Sequence, residues 1–209
     1  PLWRPEAEFI HDESPFDESV ASVDVILVTH DHRDHNCPES LQRFLLGNSS
    51  VRFFGPKEAY DRWQKCRLPM DQCHTIEAED DFQCEGFRVI VVWSKPQGGD
   101  PGRQIAPPDV THLGFIIIVG GRRIFVSGDP INNFDQRPDL VDPVKAYSPD
   151  IAILTTHPTE GEFPYFDGAW NLASKLGVKF MVPSHYGCFR KRDYDPLEFA
   201  SFGVTTDIE

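Results

Sequence analysis

Residues Thr29-His30-Asp31-His32-Arg33-Asp34-His35 place three of the chain's eight histidines within six positions. Imidazole nitrogens and carboxylate oxygens are donors suited to zinc, manganese and similar divalent cations. Two histidines at i and i+2, at the end of a strand and in the loop beyond it, can turn both rings toward one ion. That spacing assigns His30 and His32 to a first cation. Asp34 and His35 come one step later, where the chain turns toward a helical pattern, so they face a second point nearby. Two ions roughly 3.5–4 Å apart form a clamp for metal-assisted hydrolysis, one polarising the scissile oxygen and both activating a water. A polar loop whose histidines only make hydrogen bonds is the alternative, and the clustering argues against it.

Other segments repeat this design. The runs 123–126, 150–156 and 179–184 are strand-like and lead into Asp129, His157 and His185. With His30, four strand-like runs each deliver a metal-ligand residue type at the carboxyl end, the rim where sites of layered α/β structures gather. Asp129 is the natural carboxylate to bridge two ions, and His185 completes the shell of the second. Asp34, the carboxylate inside the motif, is the candidate catalytic residue, orienting the attacking water.

The elements that must hold these residues alternate. Strand patterns span 23–28, 51–54, 87–93 and 113–119, in addition to the runs above, and most are continuous and rich in Val and Ile. Helical patterns cover 38–46, with Pro38 near its start and Gly47 closing it, and 56–66. A third covers 168–176, with Asp167 as N-cap and Gly177 as terminator. The fold class is therefore α/β. Residues 96–109 form a long aperiodic loop between strands expected near the metal rim, which suggests substrate contact. Neither an internal repeat nor a linker divides the chain, so residues 1–209 read as one domain.

Composition narrows the partners. Acidic residues outnumber basic ones 33 to 20, for a net charge of −13, whereas phosphate-backbone binding needs a basic surface. Nucleic acid is thus not expected as a partner. No apolar run could span a bilayer, so no membrane role is expected. Five cysteines without a pairing pattern suit a reduced, cytoplasmic protein. Cys66, Cys73, His74 and Cys84 match no tight zinc-knot spacing, and Cys37 and Cys188 read as small buried residues. A small anionic substrate would need cations besides the metals, for which Lys57, Arg103 and Arg190 to Arg192 are candidates. Homo-oligomerisation stays open.

The order His30-x-His32-x-Asp34-His35, then Ser127-Gly128-Asp129, then Pro183-Ser184-His185 resembles the metallo-β-lactamase superfamily of two-metal hydrolases. The run Phe53-Phe54-Gly55-Pro56-Lys57-Glu58-Ala59-Tyr60-Asp61-Arg62-Trp63, continuing to Pro69 and Cys73, is similar to its L-ascorbate-6-phosphate lactonase branch. The resemblance implies an αββα sandwich with a dinuclear zinc or manganese site at one edge. It places His30 and His32 on the first ion, Asp34, His35 and His185 on the second, and Asp129 between them. The implied substrate is a small anionic lactone, ester or phosphate compound. A small phosphodiester, or a non-catalytic sensor with a degraded metal set, are the alternatives. Family members supply a further histidine to the first ion from a middle strand, yet residues 91–95 contain none. His112 is the expected replacement and His157 the runner-up, with His157 otherwise near the substrate. The family's first strand hairpin and closing strand have no counterparts in these 209 residues, so the chain is expected to be a fragment or core of a longer protein.

Overall fold

The computed structural model describes residues 10, 17–158, 163–190, 193–203 and 208. The chain divides into two compact units. One takes its residues from 1–77, 109–111 and 188–191, the other from 78–108, 112–187 and 192–209.

The first unit is built on a parallel sheet of three strands, β1 (Val25–Leu27), β2 (Arg52–Gly55) and β3 (Cys73–Thr75), in that order. Ile26 pairs with Phe53, and Phe53 with Cys73. Parallel neighbours cannot be joined by a tight turn, so helices make the connections. Helix α1 (Pro38–Gly47) links β1 to β2, and α2 (Lys57–Lys65) links β2 to β3. Pro38 opens α1, where its missing N–H costs nothing. Ala59 and Trp63, four apart on α2, share one face. They pack with Val28, Leu41, Val51, Phe53, Leu68 and Cys73 into the core of this unit. Gly47 is needed for a close approach, because a Cβ there would lie 2.0 Å from the carbonyl oxygen of Ser19. That contact seats α1 against the 3-10 turn Glu18–Val20, whose buried Glu18 carboxylate accepts from Ser40 Oγ (2.9 Å) and Arg43 Nη1 (3.0 Å).

The second unit carries a six-stranded sheet. Strands β4 (Asp81–Cys84), β5 (Phe87–Lys95), β6 (His112–Val119) and β7 (Arg122–Val126) form an antiparallel meander, and β8 (Ile151–Thr155) and β9 (Phe180–Ser184) extend it in parallel. The β6–β7 hairpin turns on Gly120 and Gly121, both at positive φ, as a tight two-residue turn requires. Helix α3 (Pro138–Lys145) connects β7 to β8, α4 (Phe166–Leu176) connects β8 to β9, and α5 (Pro196–Ser201) follows. Ile90, Val92, Ile116, Phe125, Ala152 and Leu154 from the strands form one core with Leu140, Val144, Phe166, Leu172, Leu176 and Phe199.

The mixed α/β class matches the sequence pattern, with local corrections. The 23–28 strand narrows to Val25–Leu27, and the 87–93 strand continues to Lys95 through a bulge opposite His112. Helix α4 starts at Phe166 with Tyr165 as its N-cap; Asp167 lies inside the first turn, where its carboxylate accepts from Gly168 N (2.8 Å). The 96–109 loop has internal structure. It contains a 3-10 turn, Pro101–Arg103, and an Asp100–Ile105 bridge, and Asp100 Oδ2 accepts from Asn133 Nδ2 at 2.7 Å.

Candidate metal centre

In the first unit, β1 ends at Leu27, and Val28 N still donates to Phe54 O (2.8 Å) before the chain leaves the sheet at Thr29. The carbonyl of His32 then accepts from both His35 N (3.0 Å) and Asn36 N (2.7 Å), a tight reversal that brings His35 back toward His30. Ring centroids of His30 and His32 lie 4.7 Å apart, and those of His30 and His35 4.0 Å apart. A ligating atom of His30 lies within 4.8 Å of one on His32 and of one on His35, and Asp34 and His35 are related in the same way. The sequence-expected quartet is therefore gathered in one loop.

Different ring nitrogens of His30 and His32 carry the hydrogen bonds. Thr29 Oγ1 lies 2.9 Å from His30 Nδ1. His32 is the reverse case, since it is Nε2 that lies 3.1 Å from both carboxylate oxygens of Asp109. A carboxylate on the far nitrogen of a ligating histidine fixes the ring and raises its basicity. Asp109 was thus missed as an individual residue. The only signal was its position at the end of the loop singled out for substrate contact.

In the second unit, Ser127 anchors the exit from β7. Its N donates to Ile153 O (3.0 Å), its O accepts from Ser94 Oγ (2.6 Å), and its Oγ accepts from Thr155 N (3.0 Å). Gly128, at φ 59°, then turns the chain and presents the buried Asp129. Asp129 Oδ2 lies 3.8 Å from His185 Nε2. That is beyond hydrogen-bond reach, yet within the roughly 4 Å that two ligands on bonds of about 2.0–2.1 Å to one ion can span. His185 directly follows β9 with φ 73°, the left-handed region that a residue with a side chain enters at a cost of about 1–3 kcal/mol. Its ring contacts Phe163 at 4.8 Å, and Lys95 Nζ sits 5.6 Å from the same Phe163 ring. His112 opens β6 opposite Lys95 and is 1% exposed. The buried His157 lies two residues beyond β8, its N donating to Pro164 O (3.1 Å).

The remaining candidates differ in exposure. Lys57 is exposed on the first turn of α2 and ion-paired with Asp61 on the same helix. Arg190 and Arg103 are exposed. Lys191 and Arg192 lie outside the described residues. Cys37 is buried with Sγ 3.0 Å from Glu39 Oε2, as befits a small packed residue.

The sequence model of the beta-lactamase superfamily domain matches residues 4–186, most of the chain. The chain belongs to the beta-lactamase superfamily. Among relatives, a metal-dependent hydrolase of Polaromonas sp. is 28% identical over 188 residues, covering 81% of this chain and 63% of the relative. The Salmonella heidelberg protein named "Probable L-ascorbate-6-phosphate lactonase" is 21% identical over 203 residues, covering 86% of this chain and 53% of that protein. The chain thus spans less than two thirds of either relative. A solved structure from Parabacteroides distasonis superposes with a TM-score of 0.68 at 18% identity, over 92% of this chain and 77% of that one. This likeness shows a shared fold.

Imidazoles and carboxylates in buried or half-buried positions suit the divalent cations that the superfamily resemblance implies. Among the described residues, no helix is long and apolar enough to cross a membrane.

Proposed function

We propose that the chain is a metal-dependent hydrolase that uses two divalent cations, zinc or manganese, with ligands supplied by its histidine loop. The observation that carries this reading is the loop itself, with ligating atoms of His30, His32, Asp34 and His35 clustered by a main-chain reversal. Superfamily membership and relatives named as metal-dependent hydrolases support it. By the superfamily resemblance, His30 and His32, with His112 as the expected replacement histidine, would hold the first ion, Asp34, His35 and His185 would hold the second, and Asp129 would be shared. When bound, the ions would polarise the scissile oxygen and activate a water.

The protein's own groups then orient and hold. Thr29 and Asp109 fix the histidine rings through their far nitrogens. Asp34, with Asp129, would accept hydrogen bonds from the attacking water and aim it. We further propose a small anionic lactone, ester or phosphate substrate. The similarity to the named lactonase and the 53–63 run support that choice. His157, Lys57 and Arg190 are the proposed substrate contacts.

Asp34→Asn tests the mechanism, assayed on lactone and phosphodiester panels with circular dichroism to confirm folding. Turnover should vanish while the fold persists. Undiminished hydrolysis by the folded variant would remove Asp34 from the mechanism, and a preference for phosphodiesters over lactones would overturn the substrate assignment.

A further inference from the structure

Asp31 separates His30 from His32, and its carboxylate is held from behind. Oδ1 accepts from Arg62 Nε at 2.5 Å and from Asn36 Nδ2 at 2.7 Å, while Oδ2 accepts from Arg62 Nη2 at 2.9 Å. The same Nη2 donates to the main-chain carbonyl of Asp31 at 3.1 Å. One guanidinium therefore grips both the side chain and the backbone of the residue whose two peptide units join the histidines. The far end of the run is fixed by the same helix. Trp63, fully buried, donates from Nε1 to Asn36 Oδ1 at 2.7 Å, and Asn36 directly follows His35.

We infer that Arg62 is a positioning residue for the cation-binding histidines, acting through Asp31 and Asn36 to hold the 30–36 loop in its ligating shape. This rests on the metal-dependent reading above. Neither Arg62 nor Asp31 is an expected ligand, so the device lies outside the proposed coordination set. The planar fork is what the geometry uses, because Nε and Nη2 reach different oxygens of one carboxylate. A lysine would keep the charge and lose the fork. Residues that orient metal ligands typically change affinity by about 10–100-fold. Arg62 acts through an intervening residue, so a loss near the lower end, about 10-fold, is expected.

The test is Co(II) titration of the intact chain, read by d–d absorption, for wild type, Arg62→Lys, Asp31→Asn and the double variant Asp31→Asn/Arg62→Lys. Thermal unfolding of the metal-free proteins is measured alongside. Each single variant should bind Co(II) about 10-fold more weakly with an altered d–d band, and the double variant should lose no more than either single. Wild-type affinity and spectrum in Asp31→Asn, which should fold even if Arg62→Lys does not, would overturn the inference. An affinity loss with an unchanged band that merely tracks lost stability would do the same. Failure of wild type itself to bind Co(II) would instead overturn the metal-dependent reading, and the inference with it.

Discussion

Asn36→Ala should destabilise the protein far more than the loss of one small polar side chain suggests. Asn36 is fully buried, donates from Nδ2 to Asp31 Oδ1 at 2.7 Å, and accepts from Trp63 Nε1 at 2.7 Å. Truncation leaves the Trp63 N–H buried without its acceptor, which costs about 1–3 kcal/mol. It also removes a hydrogen bond to a charged carboxylate, worth about 1.5–3 kcal/mol. The expected total is about 3–5 kcal/mol. In urea, with slopes of about 1–3 kcal/mol/M, that moves the midpoint down by roughly 1–5 M without changing the slope. Trp63→Phe strands the Asn36 carbonyl instead. The two substitutions share one hydrogen bond, so the double variant should be less destabilised than the sum by about 1 kcal/mol or more. A midpoint shift below about 0.3 M for Asn36→Ala, or strict additivity in the double variant, would refute this reasoning.

Two further outcomes follow from the same unit. Gly47→Ala should lower stability by at least about 1–3 kcal/mol, because the new Cβ meets the Ser19 carbonyl at 2.0 Å and a backbone atom cannot swing aside; an unchanged melting temperature by calorimetry would count against it. For Glu18, burial acts to raise the carboxyl pKa, but hydrogen bonds from its own backbone N–H, Ser40 and Arg43 outweigh it and hold the group below its ordinary 4.5. A lowered folded value means that this stabilisation is fully present above the unfolded value and lost as pH falls through the folded one. Glu18→Gln should therefore flatten the acid limb of the stability–pH curve, and identical limbs in both proteins would contradict the assignment.

The parts of the fold legible in the sequence were those with a strong local pattern. The Val/Ile-rich runs of β5 and β6 could be read directly, as could the Pro-initiated α1. Strands β3 and β4 escaped because Cys73–Thr75 and Asp81–Cys84 carry no apolar run. Helix α3 was hidden by Pro143 in its interior, a residue that ordinarily argues against a helix. The N-terminus of α4 was misplaced because Asp167 suits a cap, yet it bonds its own neighbour inside the first turn.

At the site, neighbours in sequence were legible and partners across sequence were not. His30, His32, Asp34 and His35 sit in one heptad, so their spacing alone implied convergence. Asp109 reaches His32 across 77 positions, and Arg62 reaches Asp31 across 31. Nothing local to an exposed loop aspartate or a helical arginine marks such a contact, since either residue is usually only solvated. The run containing Trp63 was noticed through family resemblance. Its physical role, holding Asn36 beside the histidines, emerges from the packing of α2.

Anomalous diffraction from crystals of the chain grown with zinc tests the two-cation proposal most directly. Two peaks are expected, roughly 3.5–4 Å apart, as a two-metal clamp requires. His30, His32 and His112 should surround one, Asp34, His35 and His185 the other, with Asp129 between them. An empty histidine loop under saturating zinc, or Asp129 and His185 remote from any bound ion, would contradict it.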